Sequence, residues 1–81
     1  IELTWEEIQQ ESLLVGKSLR ELNLRQQTGA SVVGVLREGN FISNPSADLV
    51  FAVGDLVALI GSPQQYEAAR EKMEPAAEES A

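Results

Sequence analysis

The sequence contains no cysteine and no histidine. That removes disulfides, a thiol nucleophile, an imidazole base and the commonest metal ligands together. Absence of cysteine also fits a reducing compartment. No apolar run approaches the roughly 18–20 residues that a membrane helix requires. No secretory leader is visible. The chain opens on Ile1 instead of methionine, as a segment cut from a longer protein would. Any link to a membrane would then come from sequence outside it.

What remains is 81 residues, 43% hydrophobic and 23% charged, which is enough for one small globular domain. A domain of this size buries only a modest core, so pairing with a second copy is a natural remedy. The net charge is −7 and unevenly spread. Residues 1–11 carry four acids and no base, and residues 66–81 carry five acids and two bases. The stretch 12–65 is neutral, with Lys17, Arg20, Arg25 and Arg37 close together in sequence. Acidic ends argue against duplex DNA as a partner, because DNA binding needs a basic face. The basic cluster leaves room for a small anionic ligand, although ordinary solvated charges would look the same.

Ile1, Leu3 and Trp5 alternate with polar residues and predict a strand over about 2–9. Ser18-Leu19-Arg20-Glu21 has the form of a capping box, predicting a short helix over about 19–23. Leu24 to Gly29 reads as a further helical turn closed by a left-handed glycine. Ser31–Arg37 is a valine-rich strand whose Gly34 suggests close approach of another backbone. Glu38-Gly39-Asn40 marks a hairpin, Phe41 and Ile42 the return strand, and Asn44-Pro45-Ser46 a turn. Leu56–Ile60 is an apolar run suited to a central strand. Ser62, Pro63 and Gln65 then start a helix, with Tyr66, Ala69 and Met73 facing the sheet and Pro75 ending it. The expected architecture is α+β: about four strands, antiparallel or mixed, with a short N-terminal helix and a longer C-terminal one. Residues 1–74 form the expected domain and residues 75–81 a frayed acidic tail.

Catalytic motifs are weak. Gly16-Lys17-Ser18 imitates the end of a phosphate-binding loop, but the glycine required five positions earlier is Glu11. Glu6 and Glu7 are strand neighbours and point to opposite faces, so they cannot share a proton. Asp48 and Asp55 fall at predicted turns, where aspartate bonds its own backbone. No convergent metal ligands and no base for a serine or lysine nucleophile are evident. The expectation is a binding domain, with no catalytic residues, no metal and no cofactor.

The stretch Leu14-Val15-Gly16-Lys17-Ser18-Leu19-Arg20-Glu21-Leu22-Asn23-Leu24-Arg25 resembles the signature of the RCK C-terminal, or TrkA-C, domain family. Thr28-Gly29, the valine strand, Gly39-Asn40, Asn44-Pro45, Gly54-Asp55-Leu56-Val57 and Ile60-Gly61-Ser62-Pro63 continue the likeness in order, over about residues 7–73. The resemblance implies a dimeric regulatory domain on the cytoplasmic side of the inner membrane. Such domains belong to potassium channels, potassium uptake systems or cation/proton antiporters, in the same chain or as a partner subunit. Some relatives bind cyclic di-AMP between two such domains. Others have no known ligand and serve mainly to hold an assembly together, so a purely structural tether is the alternative.

Carried over by position, the resemblance implies a ligand site at Leu24, Arg25, Gln26 and Ser31, with Asn23 and Pro45 at its margin. The arginine suits a phosphate, which a rigid guanidinium can grip at two oxygens. Leu24 would offer an adenine an apolar surface. A two-fold dimer would present two such arginines to a symmetric ligand such as cyclic di-AMP or another nucleotide. Two positions depart from the binding pattern: Gln26, where binders often have a small residue, and Ser31, where they often have asparagine. No aromatic residue is placed to stack on a base.

Overall fold

A computed structural model describes residues 2–74. The elements run β1 (Glu2–Glu7), α1 (Leu19–Leu22), α2 (Leu24–Thr28), β2 (Ser31–Arg37), β3 (Asn40–Ser43), β4 (Leu56–Gly61) and α3 (Pro63–Met73). The strands form one sheet in the order β1-β4-β2-β3, and every neighbouring pair is antiparallel. The fold is therefore the expected small α+β domain, and the apolar run of β4 is central, between β1 and β2. Pro75 and the acidic tail 75–81 lie outside the described residues.

Local chemistry explains the boundaries. Ser18 caps α1 and Ser62 caps α3, each with the reciprocal bond from Glu21 or Gln65 that completes a capping box. Glu38 and Gly39 both have positive φ, at 52° and 81°, which gives the β2–β3 hairpin its two-residue turn. β1 is shorter than its periodicity predicts. It ends at Glu7, and beyond it Ile8 still donates its amide to the Asp55 carbonyl and accepts the Gly54 amide, both at 2.8 Å.

The sheet has two unlike faces. Val35, Val57 and Leu59 point to one face, where the helices bury them with Leu24, Ala69 and Met73. The Tyr66 hydroxyl donates to the Glu6 carboxylate, fixing α3 over the β1 edge of that same face. On the other face Trp5 of β1 and Phe41 of β3 reach across the two central strands and meet edge to face, with ring centroids 6.1 Å apart. They shield Ala58 while remaining 45% and 54% exposed themselves. Gly34 lies beneath the Phe41 ring: a Cβ there would collide with Phe41 Cζ and stand 2.6 Å from Cε1. The close approach that Gly34 permits is thus that of an aromatic side chain, not of another backbone.

Asp55 is a second correction. Its carboxylate does accept the Ala52 N–H at 2.9 Å, as a turn aspartate would. It is also buried, at 2% exposure, and gripped by Arg37 through Nε at 2.9 Å and Nη2 at 2.6 Å. Arg37 further donates to the Val50 carbonyl at 2.8 Å. This ties the loop before β4 to the end of β2.

Candidate functional site

The link between α1 and α2 is a single left-handed residue, Asn23, at φ 48° and ψ 43°. Asparagine tolerates that region better than most residues. The kink turns α2 so that Leu24 enters the core while Arg25 stays at the surface. α2 closes on Gly29 at φ 86°. There the Thr28 hydroxyl donates to the Leu24 carbonyl at 2.7 Å and accepts the Ala30 amide at 3.1 Å. The chain passes directly into β2 at Ser31.

A second wall comes from the segment after β3. Asn44, also left-handed at φ 51°, donates its amide to the Val33 carbonyl at 3.0 Å and sets Pro45 beside the start of β2. Residues 47–51 then run along residues 16–20. Arg20 N–H bonds the Ala47 carbonyl at 2.8 Å, Leu19 N–H the Leu49 carbonyl at 3.2 Å, and Phe51 N–H the Lys17 carbonyl at 2.9 Å.

Between these walls lies a cleft of about 420 Å³, lined by Leu19, Arg20, Asn23, Leu24, Arg25, Ala30, Ser31, Val32, Pro45 and Ala47. Of the residues singled out from sequence, Asn23, Leu24, Arg25, Ser31 and Pro45 line it together. Gln26 does not; it is exposed outside the lining. Leu24 is only 3% exposed and committed to the core, so it forms floor more than contact surface. The apolar surface falls instead to Leu19, Val32, Pro45 and Ala47, which sequence reasoning missed apart from Pro45. Arg20 was missed as a site residue as well. It is the second residue of the capped helix α1, and its amide bond to the Ala47 carbonyl sets it against the second wall.

The charge of the cleft is all of one kind. Among the described residues, its only charged lining residues are Arg20 and Arg25. Arg20 donates to Asp48 Oδ1 from Nε at 3.2 Å and Nη2 at 3.0 Å. Among the described residues the Arg25 guanidinium has neither a hydrogen-bond nor an ion-pair partner. An exposed, unengaged guanidinium beside apolar walls is what an anion carrying an apolar group would need.

A second cavity, of about 260 Å³, lies between the end of β1 and the end of α3. Its charged lining residues are Glu6, Glu7, Glu11 and Glu74, so it repels anions. Among the described residues no group of three or more acids, histidines or cysteines is disposed to hold a metal ion. Nor does any described helix have the length and apolarity to cross a membrane.

A family model described as the TrkA-C domain matches residues 3–74. Probable potassium channel protein 2 of Methanocaldococcus jannaschii is 36% identical over 64 residues, covering 79% of this chain and 19% of that protein. The chain thus spans about a fifth of the curated relative it matches. The RCK_C domain dimer of S. agalactiae BusR in complex with c-di-AMP superposes with a TM-score of 0.79 at 30% identity, covering 89% of this chain and 95% of that one. BusR in complex with its busAB-promotor DNA gives the same TM-score, 0.79, at 31% identity. There the match covers 86% of this chain and 34% of the BusR chain.

Proposed function

The chain belongs to the TrkA-C domain family, and from that footing we propose that it is a regulatory, ligand-binding dimerisation domain of a cation transport system. The transported ion is potassium, and the domain works on the cytoplasmic side of an inner-membrane channel, uptake system or antiporter. Its role is binding, not catalysis. Two copies pair so that their clefts face one cyclic di-AMP, with the Arg25 of one copy on one phosphate and that of its partner on the other. Ser31 and Asn23 supply polar contacts at the rim, and the apolar walls take the adenines.

One observation carries this reading. Asn23, Leu24 and Arg25, consecutive in the chain, converge with Ser31 and Pro45 on one cleft that holds a guanidinium without a partner among the described residues. The potassium-channel relative and the cyclic di-AMP-bound BusR domain support the choice of system and ligand. The BusR–DNA complex widens the range of partners found with this fold. For this chain a net charge of −7 argues against duplex DNA.

In operation the ligand biases the transporter only if it binds one arrangement of the two domains more tightly than another. Isothermal titration of the 81-residue chain with cyclic di-AMP tests the binding step, with AMP as the control. The expected result is saturable heat at one cyclic dinucleotide per two chains, and much weaker binding of AMP. Absence of heat with cyclic di-AMP at high protein concentration contradicts the proposal and leaves the purely structural tether.

A further inference from the structure

Two arginines line the cleft, and the structure gives them different situations. Arg25 stands without a partner among the described residues, whereas Arg20 is held by Asp48, the residue next to Ala47 in the cleft wall. Resting on the anion-binding reading above, we propose that Arg20 is a second phosphate-contacting group of this cleft and that Asp48 competes with the ligand for it.

The geometry of the Arg20–Asp48 pair favours exchange. Nε and Nη2 of Arg20 both converge on one carboxylate oxygen, Oδ1, at 3.2 and 3.0 Å. That is not the two-donor, two-acceptor fork in which an arginine holds a carboxylate most firmly. Both side chains are well exposed, at 68% and 77%, so water and salt screen their attraction. Arg37 and Asp55 provide the contrast within the same molecule. There two nitrogens meet two oxygens on a carboxylate that is 2% exposed, so solvent cannot readily replace Arg37 at Asp55. One pair is a strut, and the other is a contact that an incoming anion can take over.

A phosphodiester offers two unesterified oxygens to the same fork. The backbone of Arg20 need not move for the exchange, because its amide stays bonded to the Ala47 carbonyl at 2.8 Å. Once Arg20 has turned to the ligand, Asp48 is left beside a phosphate, and their repulsion lowers the net affinity. Asp48 therefore acts as an electrostatic brake. In a two-fold dimer a ligand with two phosphates exchanges two such pairs, and a mononucleotide in one cleft exchanges one.

The test is a double-mutant cycle on cyclic di-AMP affinity, by calorimetry, with thermal melting to check that each variant is folded. Asp48→Asn is expected to tighten binding by about fivefold. Arg20→Ala is expected to weaken it by about tenfold. Most of the Asp48→Asn gain should vanish in the Arg20→Ala background, because no guanidinium remains to be released. If Arg20→Ala binds like the unaltered chain, or if Asp48→Asn gains equally in both backgrounds, this proposal is overturned while the cleft remains the ligand site. If neither the unaltered chain nor Asp48→Asn binds, the anion-binding reading fails and this proposal fails with it.

Discussion

Arg37, at the end of β2, holds the buried carboxylate of Asp55 by two hydrogen bonds of 2.9 and 2.6 Å, and so fixes the loop that leads into β4. The guanidinium beside Asp55, together with the Ala52 amide, keeps the Asp55 carboxyl below its ordinary pKa against the opposing effect of burial. Asp55→Ala removes the pair and leaves the Ala52 amide without its acceptor. Breaking a buried pair costs about 3–5 kcal/mol. Because Arg37 is about a third exposed and can hydrate, the lower end of that range is expected from urea denaturation. The pH dependence has a definite sign. Asp55 is more acidic folded than unfolded, so its contribution is complete above the unfolded carboxyl value of about 3.9 and fades as pH falls through the lower folded value. Asp55→Ala should flatten that acid limb. An unchanged limb would assign the acid dependence to other carboxylates.

Tyr66 is the only tyrosine, so its ionisation can be followed directly by ultraviolet absorbance. Its hydroxyl donates to Glu6, and that bond, with burial and the nearby negative charge, pushes its pKa up to about 12. The neutral phenol is the form the fold favours. Its stabilising effect is whole below the unfolded value of about 10 and is lost as pH rises towards 12. Alkaline titration should give a midpoint well above that of a free tyrosine. Glu6→Gln should bring it down, and a midpoint insensitive to Glu6 would contradict the contact.

The Trp5–Phe41 pair over Gly34 makes a different kind of prediction. Gly34→Ala should destabilise by about 1–3 kcal/mol, since the new methyl group collides with the Phe41 ring. Phe41→Ala removes the obstacle. In that background Gly34→Ala should cost little, because residues in contact are not additive. Equal costs in both backgrounds would mean that the ring is not what excludes a side chain.

Arg25→Ala tests the site chemistry. Hydrogen bonds to charged groups contribute about 1.5–3 kcal/mol each. Cyclic di-AMP binding should therefore weaken at least tenfold, while the melting temperature stays within a degree or two, since Arg25 makes no ion pair among the described residues. A large loss of stability would point to a structural role for this arginine.

Much of the fold was legible because its signals are local. The capping boxes at Ser18 and Ser62, the left-handed Gly29 and the hairpin at Glu38-Gly39 each depend on a few adjacent residues, and each stands where the sequence places it. What was not legible depends on residues far apart in the chain. Arg37 looked like one more solvated base and Asp55 like a turn residue. Their pairing follows from β2 and β4 lying side by side, which neither residue announces. The alternation of Leu3 and Trp5 predicted a strand but not its face. Both lie on the side away from the helices, while Thr4 and Glu6 face them. At the cleft, the family resemblance pointed to Arg25 and its neighbours. Val32 joins them from β2, and Leu19, Arg20 and Ala47 because residues 47–51 fold back along residues 16–20.

The central claim, that this cleft is where an anionic ligand binds, is tested most directly by nuclear magnetic resonance on the isotope-labelled chain. Backbone amide shifts would be mapped during titration with cyclic di-AMP. The account predicts the largest changes at Asn23, Arg25, Ser31 and Ala47, with little change along the acidic cavity at Glu6, Glu11 and Glu74. Saturable binding whose shifts cluster away from the cleft, or no shift at any residue, would contradict it.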